Sequence, residues 1–356
     1  MSLARRPERL GIVLALISAV LFGASTPLAK ALLGDVSPWM LAGLLYLGSG
    51  VGLFCVSRIR NWRGGNTAEA PLRAADLPWL GTVILSGGVV GPLLLMLGLT
   101  STPASTASLL LNLEGIFTLA IAWTVFRENV DLRVGTGAAA ILTGALLLSW
   151  SGGVSGVGWG AAAIGGACLA WAIDNNLTRK LSAADPLQIA MIKGLVAGAV
   201  NVGLATVLQQ HWPAAPAITA AGVVGFLGYG VSLTCFVLAL RHLGAARTGA
   251  YFSLAPFVGA LIAIVGFGDP VTPLFLAACA LMAVGLYLHL IERHAHNHVH
   301  EPLRHEHRHI HDIHHQHSHG PNDPVGEPHT HLHVHARIMH RHPHYPDIHH
   351  RHAHEG

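Results

Sequence analysis

Alternating histidines mark the end of this chain as a candidate metal-binding segment. Of the 26 histidines, 23 lie between His294 and His354. Neutral imidazole is the commonest protein ligand for zinc, nickel and copper. The variable spacing, with no cysteine nearby, predicts a multivalent, exchangeable chelator of Zn, Ni, Co or Cu rather than a closed zinc finger. The candidate ligands stand in three His-X-His runs: His294, His296, His298, His300, His305, His307, His309, His311, His329, His331, His333 and His335.

The tail that carries these histidines, residues 292–356, is hydrophilic and contains frequent prolines. Such a composition cannot bury enough apolar surface to form a core, so we expect a disordered tail. A second interpretation needs no metal. Imidazole gains positive charge as the pH falls below neutrality, so the tail would act as a pH-dependent solubilising segment. Neither interpretation requires a cofactor.

A second set of chemically capable residues lies inside strongly apolar sequence. Asn112 lies two residues before Glu114. Asp174 and Asn175 are adjacent in a later stretch, and Lys193 lies in the apolar stretch that follows it. Ionisable groups within a membrane are costly and usually functional. We therefore predict that these five residues bind a substrate or a coupling ion. The structural alternatives are a glutamate hydrogen-bonded between helices and a local Asp174–Lys193 ion pair.

The apolar stretches around these residues are long enough to cross a membrane. Hydrophobic residues make up 52% of the chain and charged residues only 11%, which excludes an ordinary soluble protein. A helix needs about 20 apolar residues to span the hydrocarbon layer. We predict ten membrane helices, at residues 10–33, 37–57, 78–100, 103–126, 133–150, 157–177, 187–208, 217–240, 246–267 and 271–291.

Basic residues follow an alternating pattern in the connections between these stretches. The positive-inside rule places the connections that are rich in Lys and Arg in the cytoplasm. It therefore predicts a multi-pass protein of the cytoplasmic (inner) membrane with both termini in the cytoplasm. The N-terminus and every second connection hold Arg5, Arg6, Arg9, Arg58, Arg60, Arg63, Arg73, Arg127, Arg133, Arg179, Lys180, Arg241 and Arg247, whereas the other connections hold only Lys30, at the end of the first span.

The two halves of the apolar region resemble each other. Residues 22–30, before Ser37-Pro38, resemble residues 171–179, before Asp185-Pro186, and residues 103–128 match residues 244–269 at a constant offset. Each half has five predicted spans, so the second copy enters the membrane in the opposite direction. Inverted repeats are typical of secondary transporters, whose substrate site lies near the midplane between the repeats.

At this point the sequence resembles a known family. Two five-helix units, a span that ends in Phe126-Arg127-Glu128 and an Ala255-Pro256 in the matching span look like the EamA-type members of the drug/metabolite transporter superfamily. The resemblance covers about residues 10–291. It implies ten helices, cytoplasmic termini, and export or exchange of small metabolites, often driven by an ion gradient.

We therefore predict an all-α membrane protein with ten transmembrane helices in two inverted five-helix repeats, plus a disordered tail. The domains are residues 10–150, 157–291 and 292–356. The sequence lacks the HExxH, GxSxG and Walker A motifs, so we expect no enzyme.

The favoured function is export of a small metabolite or drug-like solute, coupled to protons or another ion. Two alternatives are efflux of Zn, Ni, Co or Cu, and a membrane-anchored metal buffer or sensor. The expected partners are the small-molecule substrate, the lipid bilayer and transition-metal ions, without nucleic acid; a homodimer is left open.

Overall fold

The structure is a computed structural model of the whole chain. It describes residues 5–62, 72, 76–125, 132–150, 158–178, 185–243 and 245–290, and in the tail residues 294–300, 304–309, 329–334 and 338–344. The first half contains helices α1 (Arg5–Leu32), α2 (Pro38–Trp62), α3 (Leu77–Val83), α4 (Gly91–Ser101), α5 (Ala104–Leu110), α6 (Leu113–Thr124) and α7 (Leu132–Ser149). The second half contains helices α8 (Trp159–Thr178), α9 (Pro186–Val207), α10 (Ala215–Gly225), α11 (Ser232–Leu243), α12 (Ala245–Phe252), α13 (Ala255–Phe267) and α14 (Pro273–Leu290).

Within the described residues these helices form ten successive segments, and the predicted helical membrane fold is confirmed. Eight segments are long and apolar enough to cross a membrane, and Pro273–Leu288 is a shorter apolar helix. The remaining segment is α8, whose 20 residues include the polar run Asp174–Asn176. Numbered along the chain, α3–α4, α5–α6, α10–α11 and α12–α13 are the third, fourth, eighth and ninth spans, because each pair forms one interrupted segment.

The interruptions fall at equivalent places in the two halves. The third and eighth spans each contain a π-helical stretch, Ile84–Val90 and Phe226–Val231. The fourth span breaks between α5 and α6, and the ninth breaks between α12 and α13. Backbone with irregular hydrogen bonding is tolerated at membrane depth only where protein or a cavity surrounds it. The breaks therefore mark the interior of the bundle.

Successive spans run in opposite directions, so the bundle has two distinct sides. The "termini side" is where α1 begins and α14 ends, and the "opposite side" holds the connections at residues 33–37, 102–103, 208–214 and 268–272. Contacts between spans agree with this assignment. Gly11, near the start of α1, lies against Leu243 at the end of α11, and Lys30, near the end of α1, reaches the end of α4.

Glycines allow the second and seventh spans to approach closely. Gly50 on α2 faces Gly194 and Leu195 on α9, and an added Cβ at Gly194 would lie only 2.7 Å from the nitrogen of Gly50. The sequence spacing of Gly194 and Gly198 predicts such a helix contact, and the structure confirms it, since Gly198 packs against Leu47.

Four short strands occur among the described residues of the tail, where the sequence predicts disorder. Strand β1 (His294–His300) pairs antiparallel with β4 (Ile338–His344), and β2 (Arg304–His309) pairs with β3 (His329–Val334). Strict His-X-His alternation has the period of two that a strand requires, and strand pairing through the backbone needs no apolar core. Isolated two-stranded ribbons are only marginally stable in water.

The α2–α9 contact predicts the effect of one added methyl group. We expect Gly50→Ala to lower the free energy of unfolding by about 1–3 kcal/mol, because its Cβ would collide with the backbone of α9. Gly165→Ala on α8 is the matched control, since nothing lies within 4 Å of its added Cβ. Thermal unfolding in detergent measures both. Equal unfolding temperatures for the two variants would contradict the close contact.

Candidate functional site

A cavity of about 430 Å³ lies between the two halves of the bundle. Spans from both repeats contribute to its walls. Several lining residues, including Ala190 and Lys193 near the start of α9 and Asn175 near the end of α8, lie toward the termini side. The cavity therefore reaches from the middle of the bundle toward that side. Its volume is in the range of small-molecule sites.

One wall of the cavity is polar and contains Tyr46, Ser49, Glu114, Trp171, Asn175 and Lys193. Glu114 lies in the first turn of α6, directly after the break in the fourth span. The amide of Asn175 donates a hydrogen bond of 2.7 Å to Glu114 Oε1. This bond joins the first half to the second.

Asp174 and Lys193 form an ion pair beside this wall. Lys193 Nζ donates to Asp174 Oδ2, and Thr178 Oγ1 donates to Asp174 Oδ1 at 3.0 Å. The side chains are 6% exposed for Asp174 and 19% for Lys193, so the pair is largely withdrawn from solvent. Lys193 contributes to the cavity wall, whereas Asp174 lies behind it against Gly87. The local ion pair expected as the structural alternative is therefore present.

The structure does not bring Asn112 to the cavity. Its amide donates to Leu109 O at 2.9 Å and contacts Met282 Sδ at 3.9 Å. Leu109 O also accepts from the backbone N–H of Asn112 at 3.1 Å, so the Asn112 side chain folds back onto its own turn and contacts the tenth span. Of the five residues that the sequence singles out in the membrane, Glu114, Asn175 and Lys193 line the cavity, and Asp174 supports Lys193.

The π-helical stretch of the third span places beside the site two backbone carbonyl groups that accept hydrogen bonds from side chains. Gly87 O accepts hydrogen bonds from Tyr46 Oη at 2.8 Å and from Trp171 Nε1 at 2.9 Å. Gly88 O accepts one from Asn201 Nδ2 at 3.2 Å. Widened turns of this kind are frequent at functional sites. Three other spans are thereby tied to the third span at the depth of the cavity.

The other wall of the cavity is aromatic. Phe22 contacts Tyr229 edge to face with ring centroids 6.0 Å apart, and Phe252 at 5.2 Å. Phe236 continues the cluster, 4.9 Å from Phe252. Tyr46 joins the two walls, since its ring lies 5.6 Å from that of Tyr229. Such a wall suits the apolar body of a ligand whose polar group faces Glu114 and Lys193.

Sequence reasoning did not identify the aromatic wall or the Gly87 carbonyl. Phe22 and Trp171 occupy equivalent positions in the repeat and both line the cavity, so the repeat itself carried a usable signal. The Gly87-Gly88 pair inside an apolar span was a second signal, because neighbouring glycines permit close approach of other side chains.

The described residues contain no group of three or more His, Cys, Asp or Glu side chains that could hold a metal ion. Among the candidate ligands of the tail, ten lie on the strands β1, β2 and β3, and His311 and His335 lie outside the described residues. The backbone register pairs histidines with histidines, as in His296 with His342, His298 with His340 and His307 with His331.

Comparison with protein-family models finds one match, to the EamA-like transporter family, at residues 9–150 and again at residues 158–291. The chain is 28% identical over 295 residues to an uncharacterized transporter of Methanothermobacter thermautotrophicus, covering 78% of this chain and 85% of the relative. It is 26% identical to a probable terminal-alkyne amino-acid exporter of Streptantibioticus cattleyicolor, covering 61% of this chain and 74% of the relative.

A shorter relative matches only part of the chain. This is the probable 4-amino-4-deoxy-L-arabinose-phosphoundecaprenol flippase subunit ArnE of Pseudomonas fluorescens, 34% identical over 113 residues, with 30% of this chain and 96% of the relative covered. A solved crystal structure superposes with a TM-score of 0.58 at 19% identity, covering 78% of this chain and 95% of that chain. At this identity the likeness shows the fold alone.

The ion pair beside the cavity predicts a non-additive mutational effect. We expect Asp174→Ala to lower the free energy of unfolding by about 3–5 kcal/mol, because it leaves the Lys193 ammonium without its partner. The double variant Asp174→Ala, Lys193→Met removes both charges and should recover most of that loss. Thermal unfolding in detergent is measured for Asp174→Ala, for Lys193→Met and for the double variant, which together with the parent form a double-mutant cycle. Additive losses would contradict a coupled pair.

Proposed function

This chain belongs to the EamA-like transporter family, and from that premise we propose that it exports a small metabolite or drug-like solute through the cavity between its two repeats. Family membership makes the chain a multi-pass membrane transporter of small solutes. Secondary transporters bind their substrates near the midplane between repeats, at discontinuous helices. The cavity meets that description.

The observation that carries the proposal is the position of Glu114. It stands directly after a break in the fourth span, lines a cavity built from both repeats and holds the other repeat through Asn175. A carboxylate in the membrane interior is retained where it binds an ion, a proton or a substrate. We propose that Glu114 alternates between binding the substrate or a proton and being released from it as the halves rearrange.

The two walls indicate the kind of substrate. A polar group of the solute faces Glu114, Asn175 and Lys193, and its apolar part lies on the rings of Phe22 and Phe252. The volume of about 430 Å³ suits a solute of amino-acid or small-drug size. The names of two relatives, an amino-acid exporter and a flippase subunit for an amino sugar lipid, support a solute with an amino group.

The distribution of charge supports export as the direction of transport. The basic residues predict that the termini side faces the cytoplasm, so the cavity reaches toward the cytoplasm in this conformation. A cavity that receives its solute from the cytoplasmic side fits an exporter in the cytoplasmic membrane. A proton gradient directed inward would then supply the free energy through protonation of Glu114.

The histidine tail supports a second, separate proposal: it binds transition-metal ions in the cytoplasm. The register places histidine opposite histidine in both ribbons, and residues two apart share one face of a strand. Imidazoles arranged in this way suit Zn, Ni, Co or Cu. Bound metal would stabilise ribbons that are marginal alone. Metal efflux by the bundle is a weaker alternative, because the cavity lining includes no histidine or cysteine.

We expect Glu114→Gln to reduce transport at least tenfold without loss of membrane insertion, because the amide can neither bind a proton nor neutralise a cation. The measurement is uptake of a panel of amino-bearing solutes into inside-out vesicles, with and without a proton gradient. Asn112→Ala is the matched control from the same span, and it should transport normally because Asn112 does not line the cavity. Uptake by the Glu114 variant at the wild-type rate would refute the assignment.

Truncation at Glu292 should abolish high-capacity binding of Zn²⁺ and Ni²⁺ and leave transport intact. Calorimetric titration of the purified full-length and truncated proteins measures the binding, and the same vesicle assay measures transport. Equal metal binding by the two proteins would refute the tail proposal. Loss of transport after truncation would favour the metal buffer or sensor. Unchanged tolerance of a deletion strain to Zn, Ni, Co and Cu would eliminate metal efflux.

A further inference from the structure

A hydrogen bond between the two repeats closes the opposite side of the bundle. The backbone N–H of Ser105, in the first turn of α5, donates to Asp269 Oδ2 at 2.7 Å. Ser105 is 1% exposed, so water does not replace this partner in the present conformation. The residue before α5 is Pro103, which supplies no side-chain cap. Asp269, from the other repeat, therefore satisfies a backbone group that would otherwise be buried without a partner.

Asp269 is held in place by the way the ninth span ends. Helix α13 terminates at Gly268, whose φ of +71° lies in the left-handed region. Gly268 N donates to Ile264 O at 3.1 Å, the bond that defines the αL type of helix ending, and Asp269 N donates to Ala263 O at 3.3 Å. This rigid ending directs the residue after the glycine toward α5.

Tight packing continues from this hydrogen bond toward the cavity. An added Cβ at Gly259 of α13 would lie 2.7 Å from both Gly23 O of α1 and Ser108 Oγ of α5. The first, fourth and ninth spans therefore meet without a gap between Asp269 and the cavity. On the same side, Lys30 donates to the carbonyls of Leu99 and Thr100 and closes the end of α4.

We propose that the Asp269–Ser105 hydrogen bond is a latch that holds the opposite side closed and that must break for the cavity to open there. The inference rests on the proposed transport function, since alternating access requires that side to open. Opening separates the end of α13 from the start of α5 and lets water replace the carboxylate. The latch is strong enough to bias the resting conformation and weak enough to be released in each cycle.

The sequence repeat provides a matched comparison for this latch. Glu128 occupies the position of the first repeat that corresponds to Asp269, because residues 103–128 align with residues 244–269. Glu128 lies outside the described residues. In the sequence it follows α6, which ends on the termini side, so its removal should not favour opening of the opposite side.

The test measures access to a buried position from the opposite side. In a protein without Cys55, Cys168, Cys235 and Cys279, Thr26→Cys serves as the reporter. Thr26 is 2% exposed and lies one helical turn beyond Phe22 on the same face of α1. A membrane-impermeant maleimide is applied to oriented vesicles from the opposite side only. Labelling needs no substrate, so it remains informative even if Glu114→Gln refutes the proposed transport mechanism.

We expect Asp269→Ala to increase the labelling rate about fivefold, the population change that loss of one capping hydrogen bond produces. Asp269→Asn should stay within about twofold of the parent, because its amide oxygen can still accept the hydrogen bond. Gly268→Ala, which keeps the carboxylate but strains the left-handed position, should also increase labelling. A cooperative unfolding transition well above the labelling temperature verifies that each variant is folded.

Two results would overturn the latch. The first is labelling of Asp269→Ala and Gly268→Ala at the parental rate in folded protein. The second is an equal increase in Glu128→Ala, which would show that removal of an acidic residue at either end loosens the bundle in general. A selective increase in the Asp269 and Gly268 variants supports the proposal.

Discussion

A backbone carbonyl or amide inside a membrane must have a hydrogen-bond partner, and this constraint organises the bundle. In the π-helical stretch of the third span, the carbonyls of Gly87 and Gly88 accept hydrogen bonds from neighbouring spans. Side chains of Tyr46, Trp171 and Asn201 satisfy them, and so bring the second, sixth and seventh spans to the third. At the eighth span, the hydroxyls of Ser18 and Ser232 each donate a hydrogen bond to the backbone carbonyl of the other residue, which joins the first span to the eighth. The cavity lies among these tied spans.

The backbone of the bundle is nearly symmetric, but the chemistry of its cavity is not. Interrupted helices recur at equivalent positions of both repeats, which lets two inverted halves enclose one cavity. Glu114 has Ala255 as its equivalent, so only one of the two broken spans carries a carboxylate. The cavity lining therefore combines a polar part around Glu114 with an aromatic part around Phe22 and Phe252. An asymmetric solute can bind such a cavity in one orientation.

Much of this arrangement could be predicted from the amino-acid sequence. The ten spans follow from stretches of about 20 apolar residues, and Glu114, Asn175 and Lys193 were identifiable because ionisable and amide groups are costly in a membrane. Asn112 shares the polar character of Glu114, but residues two apart on a helix lie on different faces, and Asn112 contacts Met282 instead of the cavity. The domain boundaries and the orientation of the termini stay predictions.

Apart from Phe22, whose position in the repeat carried a signal, the aromatic wall and the Asp269 contact were not accessible from the sequence. Phe and Tyr are ordinary in membrane helices, so nothing in their spacing distinguishes Phe252 from a lipid-facing residue. Asp269 lies in a connection between spans, where carboxylates are common and do not by themselves indicate a function. Its partner is a backbone group, which has no sequence signature at all. The structure of the tail differs from the predicted disorder for another reason. Its composition indicates disorder, whereas its alternation of residues is compatible with strands.

The most direct test of the central claim, that solutes cross through the cavity, is protection of a cavity residue by a transported solute. Ser49 lines the polar wall, and Ser49→Cys in a protein without the native cysteines provides a thiol there. Its rate of alkylation is measured with increasing concentrations of each transported solute and of a non-transported analogue. The account predicts that transported solutes slow alkylation at concentrations that saturate transport, and that the analogue does not. Alkylation that is unaffected by a saturating transported solute would contradict the account.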